Sequence, residues 1–162
     1  GLATSGFPNL FTITGPGSPS VLASMIQAIE QHVDWLADCI GHMRDIGAET
    51  IEAVGRYEDD WVDHVNEVSQ VSLRSTCSSW YVGANIPGRP RVFMPYIGGF
   101  PIYVQKCNEV MSNGFEGFVI DGTTTRNDTP RVRLTERWRV PLDIEVISPA
   151  AIGSALPGEA GS

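Results

Sequence analysis

The chain has 162 residues and a formal net charge of −8, from 19 acidic and 11 basic side chains. An acidic chain without an arginine-rich arm is a poor candidate for nucleic-acid binding, and no apolar run approaches the ~20 residues of a membrane-spanning helix. Cys39, Cys77 and Cys107 form an odd set without paired spacing, which argues against a disulfide framework and indicates a reducing, cytoplasmic compartment.

The N-terminal part predicts one strand followed by one long helix. Residues 9–14 are typical of a short buried strand, which the glycines and proline at 15–17 end. Ser18 is a suitable N-cap and Pro19 a suitable first helical residue. Apolar spacing of three and four predicts roughly seven helical turns with a buried stripe, ending near Gly47. The residues of that stripe are Leu22, Met25, Ile26, Ile29, Val33, Leu36, Ile40 and Met43.

The middle of the chain predicts two further helices and brief strands. One helix should begin near Arg56, after an extended piece at 51–54, and another should span residues 100–113 and stop at Gly114. Residues 92–94 and 118–120 predict short strands. The expected class is therefore α/β, with about three helices, short strands and long ordered loops.

Composition changes near residue 122. Residues 122–162 begin with a polar, turn-rich stretch and end with Ala, Gly, Pro and Ser, a composition that predicts disorder over 148–162. The expected organisation is a body of residues 1–121 followed by an unrecognised, partly disordered tail of residues 122–162.

Residues 77–90 predict a surface loop rather than a core strand. Two prolines restrict the backbone there and two glycines allow close approach or positive φ, beside two adjacent aromatic residues. Trp80 offers a flat face and one N–H donor, and Asn85 offers a donor and an acceptor, which suits ligand contact. From these residues alone, an ordered loop with a half-buried structural tryptophan remains the alternative.

This loop carries the clearest family resemblance. The run Trp-Tyr-Val-Gly-Ala-Asn-Ile-Pro-Gly-Arg-Pro-Arg-Val-Phe, with Tyr-Ile-Gly-Gly-Phe after it, resembles the C-terminal part of the Baeyer–Villiger monooxygenases. It is most similar to the branch that includes phenylacetone, steroid and large-ring ketone monooxygenases. The matching blocks, in chain order, are residues 6–11, 15–20, 29–35, 80–93, 96–100 and 114–118. The resemblance covers about residues 1–120 and implies the C-terminal fragment of a flavoprotein with two dinucleotide-binding domains.

The resemblance also implies a function for the longer protein. Such an enzyme uses FAD and NADPH to insert one oxygen atom of O₂ next to a ketone carbonyl, giving an ester or lactone. Met25 would lie at the flavin and Trp80 at the nicotinamide cofactor. The ketone pocket would include Pro19, Ser20, Val21 and Leu22. No catalytic residue is expected in this chain, whose implied partners are the ketone, O₂ and the upstream nucleotide-binding domains.

Other interpretations remain open from the sequence. A related flavin enzyme that oxidises nitrogen or sulfur, a helical interaction module, and a truncated chain without autonomous function would all have similar features. His32, His42 and His64 do not form a metal-ligand pair at recognised spacing, so no metal site is predicted. Ser78 and Ser79 lack the glycine-flanked turn of a serine nucleophile.

Overall fold

The computed structural model describes residues 1–20, 23–70, 79–88, 90–121 and 138, and the backbone of residues 123–124. Three α-helices carry the fold: α1 Met25–Ile46, α2 Gly55–Ser69 and α3 Phe100–Ser112, with a short 3₁₀ helix at Trp80–Val82. The strands β1 Ile51–Ala53, β2 Phe118–Ile120 and β3 Thr123–Thr124 form an antiparallel sheet in that order. The predicted combination of three helices with short strands is confirmed. No helix in the described ranges is long and apolar enough to cross a membrane.

Helix α1 ends where the sequence predicts but begins later. Gly47 adopts a left-handed φ of 70° and its N–H bonds back to the last turn, while Ala48 N donates to Met43 O at 2.8 Å. This is the glycine-terminated pattern expected at a helix end. The predicted start at Ser18 is wrong, because Ser18 O accepts a hydrogen bond from Tyr96 N and Pro19 pairs with Tyr96 in a parallel bridge. Those long-range contacts hold the chain extended before the helix.

The strand predicted at residues 9–14 is also wrong, since this segment is mainly turns with one bridge between Ala3 and Phe11. Asn9 has a φ of 61°, which interrupts extended backbone. Its amide group occupies the edge of β1 instead: Asn9 Oδ1 accepts from Ile51 N at 3.0 Å, and Asn9 N donates to Ile51 O at 2.9 Å. Residues 92–94, predicted as a brief strand, are irregular.

The buried face of α1 differs from the predicted apolar stripe. Its inward residues are Ala28, Gln31, His32, Trp35, Cys39, His42 and Met43. Ile26, Val33 and Ile40 are instead 72%, 51% and 57% exposed. The core accepts the mixed polar and aromatic face because those side chains find partners there, as when Trp35 Nε1 donates to Cys107 O at 3.0 Å.

The hydrophobic core lies between α1, α3 and the sheet. Trp35 meets Phe115 edge to face at 5.5 Å between ring centroids, and Phe115 itself is fully buried. Trp138 packs against the outside of this core: its indole N–H donates to Asp34 Oδ2 at 2.7 Å, and its ring meets Phe100 at 5.9 Å. A residue of the predicted tail thus contacts both α1 and α3.

Candidate functional site

Residues 14–18, here called the Gly-Pro-Gly turn, are held by backbone and side-chain contacts from three directions. Gly17 N donates to Met94 O at 2.6 Å, and Gly17 O accepts from Trp61 Nε1 at 3.0 Å. Gly17 has a φ of 80°, and a Cβ atom there would lie 2.8 Å from Trp61 Nε1. Only glycine combines this backbone conformation with so close an approach. The turn is therefore fixed in position rather than a loose connection.

His32 holds the other end of the turn. Its Nδ1 accepts from Thr14 N at 2.9 Å, and its Nε2 lies 3.0 Å from the Tyr103 hydroxyl. The imidazole is fully buried. Burial lowers the pKa of His32 from 6.5 to about 4. At neutral pH His32 is uncharged, and its two hydrogen bonds connect α1 to the turn and to α3.

Three further side chains beside the turn are neutral near pH 7. Burial raises the pKa of Tyr96 to about 12 and that of Cys107 to about 11, and it raises the pKa of Tyr103 well above its usual value. The rings of Trp61, Tyr96 and Tyr103 pack together with centroids 5.2–5.9 Å apart. Such a cluster can position a backbone segment and exclude water, but it offers no charged group for acid–base chemistry.

The second part of the candidate site is the loop that carries Trp80. Ser79 caps the 3₁₀ helix, since its side chain accepts from Tyr81 N, and Gly83 ends it with a φ of 67°. The Trp80 ring stacks on Tyr81 with 4.0 Å between centroids and is 60% exposed. Asn85 is also exposed. In the described part of the chain the tryptophan ring is therefore mainly exposed.

One backbone unit joins the turn to the Trp80 loop. Met94 O accepts from Gly17 N, and Met94 N donates to Tyr81 O at 2.9 Å. Phe93 N, one residue earlier, donates to Asn66 Oδ1 of α2 at 2.9 Å. Residues 93–94 thus fix the two predicted cofactor-contacting segments relative to each other.

The other predicted site residues differ in their placement. Met25 is the first residue of α1 and is 45% exposed. Pro19 is fully buried inside the fold and Ser20 is half-buried. Val21 and Leu22 lie outside the described residues. Pro19 is therefore part of the packed interior, whereas the Met25 side chain lies partly at the surface.

The residues that hold the turn were not predicted as functional. His32, Trp61 and Met94 act through contacts 18 to 77 positions away in sequence, which local spacing does not reveal. A weak signal exists in their chemistry, because His and Trp on inward helix faces require hydrogen-bond partners. Among the described residues, no group of three His, Cys, Asp or Glu side chains is arranged to hold a metal ion.

Comparison with known proteins places this geometry in a class. The acetone monooxygenase (methyl acetate-forming) of Gordonia sp. strain TY-5 is 36% identical over 121 residues, which are 74% of this chain and 23% of that protein. A phenazine N-monooxygenase of Lysobacter antibioticus is 33% identical over 120 residues, or 74% of this chain and 22% of that protein. No protein-family model matches the chain.

A solved structure gives the same result. The chain superimposes on an oxidized steroid monooxygenase bound to NADP with a TM-score of 0.67 and 45% identity, covering 74% of this chain and 22% of that one. Over the matched residues, the chain is homologous to monooxygenases, among them enzymes named as FAD-binding. Within that class its homologues include the Baeyer–Villiger monooxygenases, so the resemblance drawn from the sequence is confirmed. The chain spans less than a quarter of the length of these relatives.

Proposed function

We propose that this chain is one segment of an FAD-dependent, NADPH-using Baeyer–Villiger monooxygenase. The reaction converts a ketone, O₂, NADPH and a proton into an ester or lactone, NADP⁺ and water. The observation that carries the proposal is the 45% identity and shared fold with the NADP-bound steroid monooxygenase. Methyl acetate is acetone with one oxygen inserted beside its carbonyl, so the name of the Gordonia relative describes the same conversion.

In this proposal Trp80 contacts the nicotinamide cofactor and Met25 lies against the flavin. The exposed indole face fits a flat heteroaromatic ring, and the thioether of Met25 fits an apolar ring edge. Ser24, the N-cap of α1, makes no side-chain capping hydrogen bond, and the positive N-terminal end of this helix would face the electron-rich ring. When bound, FAD supplies the reaction with O₂, while residues of this chain orient the cofactors.

The ketone would be bound near residues 19–22. Pro19 and Ser20 follow the fixed turn directly. A pocket wall at Ser20, Val21 and Leu22, with the buried Pro19 behind it, would take its position from the contacts of Gly17 and Ser18. The neutral aromatic cluster behind the turn would keep water from this side. Because that cluster lacks an ionised group, we assign the segment positioning roles and no catalytic residue.

We further propose that residues 1–121 form the conserved body and that residues 122–162 are an extension of it. The matches to the curated relatives, 118 to 132 residues long, are close to the length of that body. The partner of the body would be the nucleotide-binding part of the same polypeptide, because the matched residues cover only 23% of the Gordonia relative. A cytoplasmic location is supported by the buried free thiols of Cys39 and Cys107.

A chimera tests the proposed function. The matching segment of the Gordonia acetone monooxygenase is replaced by that of this chain, and the product is assayed with FAD, NADPH and a series of ketones. The expected result is NADPH-dependent ester or lactone formation. A chimera that folds with FAD but oxidises only amines or phenazines would contradict ketone oxidation and favour the N-oxidising alternative, to which the Lysobacter relative lends support.

The isolated chain provides a second test. We expect it to purify without FAD, because it lacks a nucleotide-binding domain and retains few contacts to offset the cost of association. Its visible spectrum measures this directly. A yellow protein with one flavin per chain would show that the segment binds FAD by itself.

A further inference from the structure

Helix α1 has a second apolar face that the described fold leaves uncovered. This aliphatic stripe consists of Ile26, Ile29, Val33 and Ile40, which are 72%, 39%, 51% and 57% exposed. The four residues follow the spacing of one helical face. Singly scattered apolar residues on a surface are normal, but a stripe along about four helical turns marks a contact surface.

The stripe is distinct from the face that packs on the core. The core face contains Trp35 and Cys39, whereas the polar residues Gln27, Asp34 and Asp38 occupy a third sector of the helix. A helix at the surface of a complete domain has one apolar and one polar face. Helix α1 has two apolar faces separated by one polar sector, which is the pattern of a helix covered from two sides.

We propose that the aliphatic stripe is the surface against which the nucleotide-binding part of the same polypeptide packs. This inference rests on the proposed function. The chain spans 23% of its Gordonia relative, so a homologous protein contains ample further chain to cover the stripe. A second copy of this chain is the less suitable occupant, because each copy carries a net charge of −8 and the two would repel.

The position of the stripe supports this occupant. Its first residue, Ile26, follows Met25, the proposed flavin contact. A domain that holds the flavin against Met25 would extend directly along the helix. At the other end, Ile40 borders an open groove of about 560 Å³, together with Phe11, Met43 and Ala48. The groove, whose lining also includes Asn9, Arg44 and Glu49, continues the stripe to the end of α1.

The test uses a matched pair of substitutions, Val33→Asp in the stripe and Val62→Asp on α2. Both valines are on exposed helix positions, at 51% and 37%. Each variant is made in the isolated chain and in the chimera with the Gordonia enzyme. Thermal unfolding is measured for the isolated chain, and the temperature of flavin release for the chimera. Ile26→Gln serves as a milder stripe variant if Val33→Asp prevents the chimera from folding.

We expect Val33→Asp to leave the melting temperature of the isolated chain within about 2 °C of wild type, because the site is wet there. In the chimera it should lower the flavin-release temperature by at least about 4 °C, and Val62→Asp should not. Equal behaviour of the two variants in the chimera would overturn the proposal. A dimer of the isolated chain that Val33→Asp dissociates, with no effect in the chimera, would assign the stripe to self-association and overturn it equally.

These outcomes are separable from the proposed function. A chimera in which the stripe variants release flavin early, but which does not oxidise ketones, contradicts the function and leaves the stripe assigned. A chimera that oxidises ketones and tolerates aspartate at position 33 supports the function and contradicts the assignment of the stripe.

Discussion

His32 Nδ1 accepts a hydrogen bond from Thr14 N at 2.9 Å, and that contact determines the tautomer of the imidazole. A backbone N–H is always a donor, so Nδ1 must be unprotonated and the ring proton must be on Nε2. Nε2 then donates to the Tyr103 hydroxyl 3.0 Å away. A protonated ring would lose the contact with Thr14, so the position of the turn depends on a neutral His32.

The free energy of unfolding should therefore depend on pH through the protonation of His32. The pKa of His32 is lowered from 6.5 to about 4 in the folded state, so the unfolded chain binds the proton first as the pH falls. The contribution is complete above pH 6.5 and is lost as the pH falls toward 4. We expect His32 to contribute a loss of about 1.4 kcal/mol per pH unit across that window, measured by urea unfolding as the difference between wild type and a variant without the imidazole.

The variant His32→Gln provides the comparison. The glutamine amide can accept from Thr14 N but does not titrate. The unfolding free energy of the variant should therefore be lower than that of wild type at pH 7.5 and should change less between pH 6.5 and 4. Burial also lowers the pKa of His64, and that contribution remains in both proteins. Parallel pH profiles of wild type and variant would mean that His32 is protonated in the fold without penalty.

Two glycines should respond in opposite directions to alanine. Gly17→Ala places a Cβ 2.8 Å from Trp61 Nε1 on backbone with a φ of 80°, so it should destabilise the chain by about 2 kcal/mol. Gly41 is inside α1, and a Cβ there would meet nothing within 4 Å. Gly41→Ala should stabilise by about 0.5–1 kcal/mol. Denaturant midpoints measure both, and a neutral Gly17→Ala would show that the turn has room to relax.

The contacts of Trp138 with α1 and α3 should contribute to stability. Trp138→Ala removes the hydrogen bond to Asp34 and the edge contact with Phe100, which we expect to cost about 2 kcal/mol of unfolding free energy. Trp138→Phe keeps a ring and loses the N–H, so its cost should be intermediate. Thermal unfolding of the three proteins decides this, and unchanged melting temperatures would show that the body is stable without these contacts.

Trp80 should matter for cofactor use and not for folding. Because its side chain is 60% exposed, Trp80→Ala should change the stability of the isolated chain by less than about 0.5 kcal/mol. In the chimera it should raise KM for NADPH about 30- to 150-fold, with Trp80→Phe in between. Ile86→Ala is the control, since Ile86 is on the same loop and 52% exposed. An unchanged KM in Trp80→Ala would remove the tryptophan from the cofactor site.

Local signals in the sequence predicted the helices well and their surroundings poorly. The end of α1 at Gly47 and the position of α3 follow from spacing and glycine chemistry. The start of α1 depends on Tyr96 holding Ser18, a contact between residues 78 positions apart, which no local pattern encodes. The buried face of α1 was mispredicted for a different reason. Periodicity identifies an apolar stripe but not which of two stripes faces this part of the molecule.

The same limit applies to the candidate site. Motifs drew attention to the turn and to Trp80, because prolines, glycines and an unusual aromatic pair are visible in the letters. They did not indicate that Met94 joins the two, since that role uses only its backbone N–H and C=O. Nor did they indicate His32, whose role depends on its burial and on the tautomer of its imidazole.

The link at Met94 also has a consequence for mutational scanning. Every amino acid except proline supplies the same N–H and C=O, so exchanging the side chain at position 94 leaves both bonds intact. A scan of single substitutions would therefore score this position as tolerant, with proline as the one outlier. Such a scan measures how replaceable a side chain is, so it does not detect a connection that consists of main-chain hydrogen bonds.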